Sequence, residues 1–195
     1  MEQYNKFKVG LIVNPIAGMG GSVGLKGTDG KDILQEAIHR GAEPNALNRT
    51  IEFLEELDSI RSKLVFITCP GIMGEEPLKD LNFKYQLISD PFFEKKDGLY
   101  ETSAQHTILA AERMKDVHDV KILLFVGGDG TARDVLEAVN MNLPCLGIPA
   151  GVKVFSSVFS MSPKKASRLL IQFLWDEIPL KESEVLDIDE EEYRS

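Results

Sequence analysis

The sequence predicts an α/β protein with a doubly wound, mostly parallel sheet and helices on both faces. Short apolar runs, such as residues 9–13 and 122–126, alternate along the chain with amphipathic helical patterns. Strands that are apolar without interruption are typical of parallel sheets buried on both sides. Right-handed crossovers between such strands produce the doubly wound arrangement.

The first half of the chain begins with the apolar run at residues 9–13, which predicts a buried strand. A glycine-rich stretch follows, and apolar residues at helical spacing then predict a helix that ends before Gly41. The remaining elements expected in this half are a helix at about 45–57, a strand at 64–68, a short helix at 75–81 and a short strand at 85–88.

The second half is expected to open with a loop without periodicity and then a helix capped by Thr102 or Ser103. Ser162 and Pro163 form an N-cap and first-turn proline pair, which predicts the start of another helix. The other expected elements are a strand at 122–126, a glycine turn with a helix that begins near Thr131, a strand at 145–149 and a strand at 184–188.

Charge and composition exclude several classes of partner. The formal net charge is −9, with 31 acidic and 22 basic residues, so the basic footprint of a nucleic-acid or anionic-membrane surface is absent. The N-terminus has no secretory pattern and no apolar run approaches a membrane span. Two isolated cysteines, Cys69 and Cys145, are expected to be reduced core residues, and we predict a cytoplasmic location.

The stretch "FVGGDGTARDV" carries the strongest chemical signal. Gly127, Gly128 and Gly130 follow a buried strand and precede a helix, so bare backbone N–H groups lie where the sheet ends. With the helix N-terminus near Thr131, they predict a phosphate cradle. A carboxylate beside phosphates is repulsive unless it holds Mg²⁺ or accepts a proton from an attacking hydroxyl. Asp129 therefore predicts phosphoryl transfer.

Two further glycine-bearing turns follow predicted strands, and ligands of such folds bind at the carboxyl ends of strands. The first contains Gly18, Gly20 and Gly21, and the other ends at Gly151. The first loop matches neither the P-loop pattern nor the dinucleotide-binding fingerprint. A phosphate-binding loop and a flexible loop therefore both stay open for it. The histidines show no metal-ligand spacing, so no protein metal site is predicted.

These three turns in this order resemble the superfamily of NAD kinases and diacylglycerol-type lipid kinases. "NPIAGMGG" is similar to its first motif, "GGDGT" to its signature and "GIPAG" stands where its third motif falls. The longer strings "NPIAGMGGSVGLKGTDG" and "GIPAGVKVFSSVFS" most resemble a predicted ATP-NAD kinase group that includes the acetoin-catabolism X proteins.

The resemblance implies a nucleotide-binding α/β domain at residues 1–182 and, at 183–195, the start of a truncated β-rich domain. It makes Asp129 the catalytic acid or base candidate. It also implies ATP or polyphosphate as donor, NAD as acceptor, Mg²⁺ as cofactor and possible homo-oligomers. The residues that it implies for binding are Asn14, Gly18, Gly20, Gly21, Gly127, Gly128, Gly130, Thr131 and Gly151.

Three functions follow as hypotheses. The first is a kinase that phosphorylates NAD, of which this chain is the nucleotide-binding part and by itself inactive. The second is a nucleotide-sensing module without catalysis, since Pro149 stands where NAD kinases have asparagine. The third is a lipid kinase, although the Gly-Thr-x-Asn-Asp pattern of that class is replaced here by residues 151–155.

Overall fold

The computed structural model describes residues 6–25, 31–93, 101–116, 120–151 and 153–186. Strands and helices alternate along this part of the chain. The strands are β1 (Phe7–Val13), β2 (Leu64–Thr68), β3 (Tyr85–Leu87), β4 (Leu123–Gly127) and β5 (Cys145–Pro149). The helices are α1 (Met19–Ser22), α2 (Lys31–His39), α3 (Ala46–Glu55), α4 (Glu75–Asp80), α5 (Ala104–Asp116), α6 (Asp129–Val139) and α7 (Pro163–Leu174). Segments of 3₁₀ helix cover Asp58–Lys63, Gly71–Met73 and Pro91–Phe93.

The strands form one sheet in the order β3-β2-β1-β4-β5, and every pairing between them is parallel. The chain moves outward from β1 to β3, then crosses back to place β4 on the other side of β1. The strand order therefore reverses between β1 and β4. In doubly wound sheets the crevice at the carboxyl ends of these two strands is the usual ligand site.

Each face of the sheet carries its own layer of helices, because side chains alternate between faces along every strand. Val9, Leu11 and Val13 of β1 join the cluster that contains buried residues of α3, α4 and α7. Ile12 belongs to the opposite cluster, with buried residues of α5 and α6. Covered faces explain why the strands are apolar without interruption.

The predicted fold class is confirmed, the bounds of several elements differ from the expected ones by one or two residues, and three differences bear on the candidate site. The glycine-rich first loop contains the short helix α1. Helix α6 begins at Asp129, two residues before the position expected from the sequence, because Gly128 serves as its N-cap. Residues 184–186 form no strand, and the remainder of that expected strand lies outside the described residues.

The exposed edge of β5 is covered by the chain that follows it. The Gly147 N–H donates to the Val158 carbonyl at 2.9 Å, and the Ser160 N–H donates to the Gly147 carbonyl at 2.9 Å. A Cβ at Gly147 would lie 2.5 Å from the Phe159 ring, so glycine permits this close approach. The segment 156–160 is thereby held beside the carboxyl end of the sheet.

Two further findings concern the cysteines and the length of the helices. Cys69 is buried and Cys145 is half-buried, and both are free thiols. Across the residues that the structure describes, no helix has the length and apolar character needed to span a membrane.

Candidate nucleotide-binding site

The crevice between β1 and β4 brings together two residues that lie 117 positions apart in the chain. The Asn14 side chain follows β1 and donates from Nδ2 to Thr131 Oγ1 at 2.9 Å. The Asn14 N–H donates to the Val126 carbonyl at 3.0 Å, which fixes the end of β1 against β4. Asn14 thus joins the first turn to the signature turn, as its predicted place in the crevice requires.

The signature turn presents an open helix N-terminus. Gly128, the N-cap of α6, is extended (φ −122°, ψ −169°) and has no side chain with which to cap the helix. Among the described residues, none accepts a hydrogen bond from the N–H groups of Asp129, Gly130 or Thr131. These donors and the positive end of the helix dipole form the type of site that binds anions.

The three glycines of this turn differ in what the fold requires of them. A Cβ at Gly127 would lie 2.5 Å from the Thr131 side chain, so the packing of the turn excludes larger residues. A Cβ at Gly128 or Gly130 would meet no atom of the described residues within 4 Å, and neither residue has a positive φ. Gly128 is the N-cap of α6, where glycine is favoured over alanine, whereas nothing in the described structure explains glycine at position 130.

The Asp129 carboxylate holds the chain that follows the third motif. Oδ1 accepts hydrogen bonds from the Ser156 N–H at 2.8 Å and the Ser156 hydroxyl at 2.5 Å. Oδ2 accepts from the Phe155 N–H at 2.9 Å. The Ser156 hydroxyl also accepts from the Leu186 N–H at 3.0 Å. Sequence reasoning missed this role, because it joins residues 26 and 27 positions apart through a loop without periodicity.

Backbone atoms of the first and third motifs are in close contact. Gly18 adopts a left-handed conformation with φ 79°, and a Cβ there would lie 2.8 Å from the Gly151 Cα. The Ala150 N–H donates to the Gly127 carbonyl at 3.0 Å, which connects the third motif to the signature turn. The three predicted turns therefore meet at one edge of the sheet.

Gly20 and Gly21 are placed differently from the other predicted site residues. Both lie within α1, where Gly20 is buried and its carbonyl accepts from the N–H groups of Val23 and Leu25. Gly21 is exposed, and a Cβ there would meet no described atom within 4 Å. The structure thus gives Gly20 a role within its own loop, and the binding role predicted for both residues stays a prediction.

A cavity of about 340 Å³ opens beside the contact between Gly18 and Gly151. Its lining combines residues of the first and third motifs with polar residues from α1, from the connection between α2 and α3, and from α3. The lining residues are Gly18, Ser22, Glu43, Asn45, Arg49, Ala150 and Gly151. Glu43, Asn45 and Arg49 were not predicted, because they follow no strand and form no recognisable motif, and Ser22 lies in the first-motif string but was not singled out.

The motifs resemble both NAD kinases and lipid kinases, and comparison with known protein families distinguishes between the two. The family model for the ATP-NAD kinase N-terminal domain matches residues 9–178, well over half of the chain. The chain belongs to the ATP-NAD kinase N-terminal domain family. No match to the chain was found among curated proteins.

Membership in the ATP-NAD kinase family confirms the resemblance to NAD kinases and implies kinase chemistry on nucleotide substrates. The matched region contains all three motif turns, from Asn14 to Gly151. The narrower likeness to the acetoin-catabolism X proteins stays a prediction, as does the division of the chain at residue 182.

Proposed function

We propose that this chain is the nucleotide-binding part of an NAD kinase, which transfers a phosphoryl group from ATP or polyphosphate to a ribose hydroxyl of NAD. The open N-terminus of α6 and Gly130 within its first turn carry this proposal. Alanine is the better helix former, and glycine inside a helix costs about 0.5–1 kcal/mol relative to it. Glycine at position 130, where a Cβ would have free space, indicates that something outside the chain approaches the backbone there.

Phosphate is the group that best fits this turn. The N–H groups of residues 129–131 have no acceptor among the described residues, and the α6 dipole favours negative charge at the same place. A phosphate oxygen can lie close to these groups because Gly128 and Gly130 carry no side chains. Family membership then favours the phosphates of ATP and NAD over other anions.

Asp129 has two functions in this proposal. Its Oδ1 holds Ser156 and so positions the third-motif loop. Its Oδ2 accepts the Phe155 N–H and retains a second lone pair for the proton of a substrate hydroxyl. As that hydroxyl oxygen bonds to phosphorus, the bond between phosphorus and the donor's leaving oxygen breaks, and the hydroxyl proton passes to Oδ2.

A divalent cation is expected to arrive with the nucleotide. Mg²⁺ is commonly held by one or two carboxylates together with substrate phosphates, and Asp129 supplies a carboxylate at the turn. When bound, the ion would neutralise charge on the phosphates during transfer. The Asp129 carboxylate would hold the ion together with phosphate oxygens, while the N–H groups of residues 129–131 would bind other phosphate oxygens.

The part of the chain after residue 182 is proposed to begin the second domain. The Ser157 N–H donates to the Glu184 carbonyl at 3.0 Å, and the Leu186 N–H donates to the Ser156 hydroxyl. Residues 184–186 are therefore attached to the loop that Asp129 holds. This attachment supports a domain that completes the site from that side, and a subunit contact in a homo-oligomer would be compatible with it.

The test is NADP formation by the full-length natural protein with NAD, Mg²⁺ and either ATP or polyphosphate. Asp129→Asn should abolish transfer while nucleotide binding, followed by thermal shift, is retained. Asp58→Asn is the matched control, since Asp58 lies on the surface with a side chain 71% exposed. Unchanged NADP formation by Asp129→Asn would refute the proposed role.

Two other outcomes would favour the alternative functions. Stabilisation by NAD or NADP without any turnover would favour a nucleotide-sensing module. Phosphorylation of diacylglycerol in vesicles without phosphorylation of NAD would favour a lipid kinase.

A further inference from the structure

The cavity beside Gly18 and Gly151 contains charged groups that the signature turn does not use. Arg49 lies in the first half of α3, and its side chain is 37% exposed. Glu43 lies in the connection between α2 and α3 and lines the same cavity. One cationic and one anionic side chain thus border a cavity that is also lined by two glycines.

The Arg49 guanidinium has more N–H donors than it has acceptors among the described residues. Within the described part of the chain, its only hydrogen-bond acceptor is Glu52, which Nη1 contacts at 3.1 and 3.4 Å. The Nε atom is buried and has no acceptor among the described residues. A guanidinium has five N–H donors, so most of its capacity for an anion is unused.

The cavity is connected to the signature turn through a short backbone path. Ala150 and Gly151 line the cavity, and the Ala150 N–H bonds to the carbonyl of Gly127. The cavity therefore lies next to the third-motif segment that is bonded to the signature turn. Its volume of about 340 Å³ lies at the lower end of the range for ligand pockets, which suits one nucleoside phosphate unit.

We propose that this cavity is a subsite for one nucleoside phosphate unit of a nucleotide substrate. Arg49 binds its phosphate and Glu43 accepts a hydrogen bond from a sugar hydroxyl. The inference rests on the proposed function for its substrates, but it assigns new residues. A carboxylate beside a phosphate would be repulsive alone, whereas a carboxylate beside a hydroxyl and a guanidinium beside a phosphate are each complementary.

Direct binding by the full-length protein tests the subsite with three probes: ATP, NAD and inorganic tripolyphosphate. Arg49→Gln should weaken the binding of ATP, NAD or both by about tenfold or more, as expected for loss of a hydrogen-bonded charge pair. The probe that loses affinity identifies which substrate occupies the cavity. Arg49→Lys should lose less, because lysine keeps the charge but not the planar fork.

Arg40→Gln is the matched control for Arg49→Gln. Arg40 directly follows α2, pairs with Glu36 of that helix at 2.6 Å and does not line the cavity. It should leave all affinities unchanged. The melting temperatures of the unliganded variants will separate lost binding from lost folding.

Glu43→Gln tests the sugar contact. It should weaken binding of the nucleotide identified above and leave tripolyphosphate, which has no sugar, bound equally or more tightly. Equal loss of all three probes would contradict the sugar contact. Equal affinities of Arg49→Gln, Arg49→Lys and Arg40→Gln for every probe, or no binding of any probe by the natural protein, would overturn the subsite.

The two proposals fail in distinguishable ways. If Asp129→Asn abolishes NADP formation while Arg49→Gln binds normally, the subsite is wrong and the kinase function stands. If the natural protein forms no NADP but Arg49→Gln weakens nucleotide binding, the subsite stands and the kinase function is wrong.

Discussion

Asp129 and Ser156 are joined by two hydrogen bonds to one carboxylate oxygen, from the Ser156 N–H at 2.8 Å and its hydroxyl at 2.5 Å. Ser156 is only 4% exposed, and its hydroxyl is itself bonded by the Leu186 N–H. The acid of the signature turn is therefore part of a network that fixes the third-motif loop and the chain near residue 186. A change at Ser156 should act on both the loop and the carboxylate.

Ser156→Ala should destabilise the protein by about 1–3 kcal/mol, because it removes a bond to a charged acceptor and leaves the Leu186 N–H without its acceptor. The free energy of unfolding from urea titration measures this. Ser157→Ala is the control, since Ser157 is exposed. Equal unfolding free energies for the two variants would show that the network contributes no stability.

Gly130→Ala should leave the stability of the unliganded protein unchanged or slightly raised, because a Cβ has free space inside α6, whereas Gly128→Ala should lower it slightly, because alanine is a poorer N-cap than glycine. The same changes should weaken ATP binding by about tenfold or more, since a Cβ would separate the phosphate from the backbone N–H groups. Calorimetric titration and thermal melting together measure the two effects. Unaltered ATP affinity in both variants would remove the main support for the phosphate cradle.

The Gly18→Ala substitution should instead reduce the stability of the unliganded protein. Its positive φ and the 2.8 Å approach to Gly151 require glycine for the fold itself. We expect the variant to lose about 1–3 kcal/mol of unfolding free energy, as is typical for a side chain forced into an unfavourable backbone conformation. A melting temperature equal to that of the natural protein would show that the contact between the first and third motifs is not tight.

The two cysteines should resist thiol reagents in the folded protein. Burial raises the pKa of Cys145 to about 12 and raises the pKa of Cys69 further, so neither thiolate forms near neutral pH. In the unfolded chain the thiols ionise above about pH 8.5. The contribution of these thiols to stability is thus complete below that pH and is lost as the pH rises toward the folded-state values.

Labelling with a thiolate-selective reagent at pH 8 checks this prediction. We expect Cys69 to react only as fast as the protein unfolds, Cys145 to react more slowly than in the unfolded chain, and both to react at once in denaturant. Rapid labelling of Cys69 under native conditions would contradict its burial.

Much of the fold follows from local patterns in the sequence. Apolar runs bounded by glycine and proline mark the strands, and helical periodicity marks most of the helices. The three motif turns could be placed in one crevice because the carboxyl ends of parallel strands lie at one edge of the sheet. Local sequence patterns do not predict contacts between loops, because those contacts depend on the three-dimensional path of the chain.

Three findings illustrate that limit. The contact of Asp129 with residues 155–156 joins a helix start to a loop that has no repeating pattern. Arg49 enters the cavity from a helix whose sequence is an ordinary amphipathic pattern. Helix α1 forms inside a glycine-rich stretch because Met19 and Gly20 are buried there, so tertiary packing outweighs weak helix propensity.

A crystal structure of the full-length protein with Mg²⁺ and ATP or NADP tests the central claim most directly. We predict that phosphate oxygens lie within hydrogen-bond distance of the backbone N–H groups of residues 129–131, with the Asp129 carboxylate beside them. A ligand bound far from this turn, with Asp129 bonded only to Phe155 and Ser156, would contradict the account.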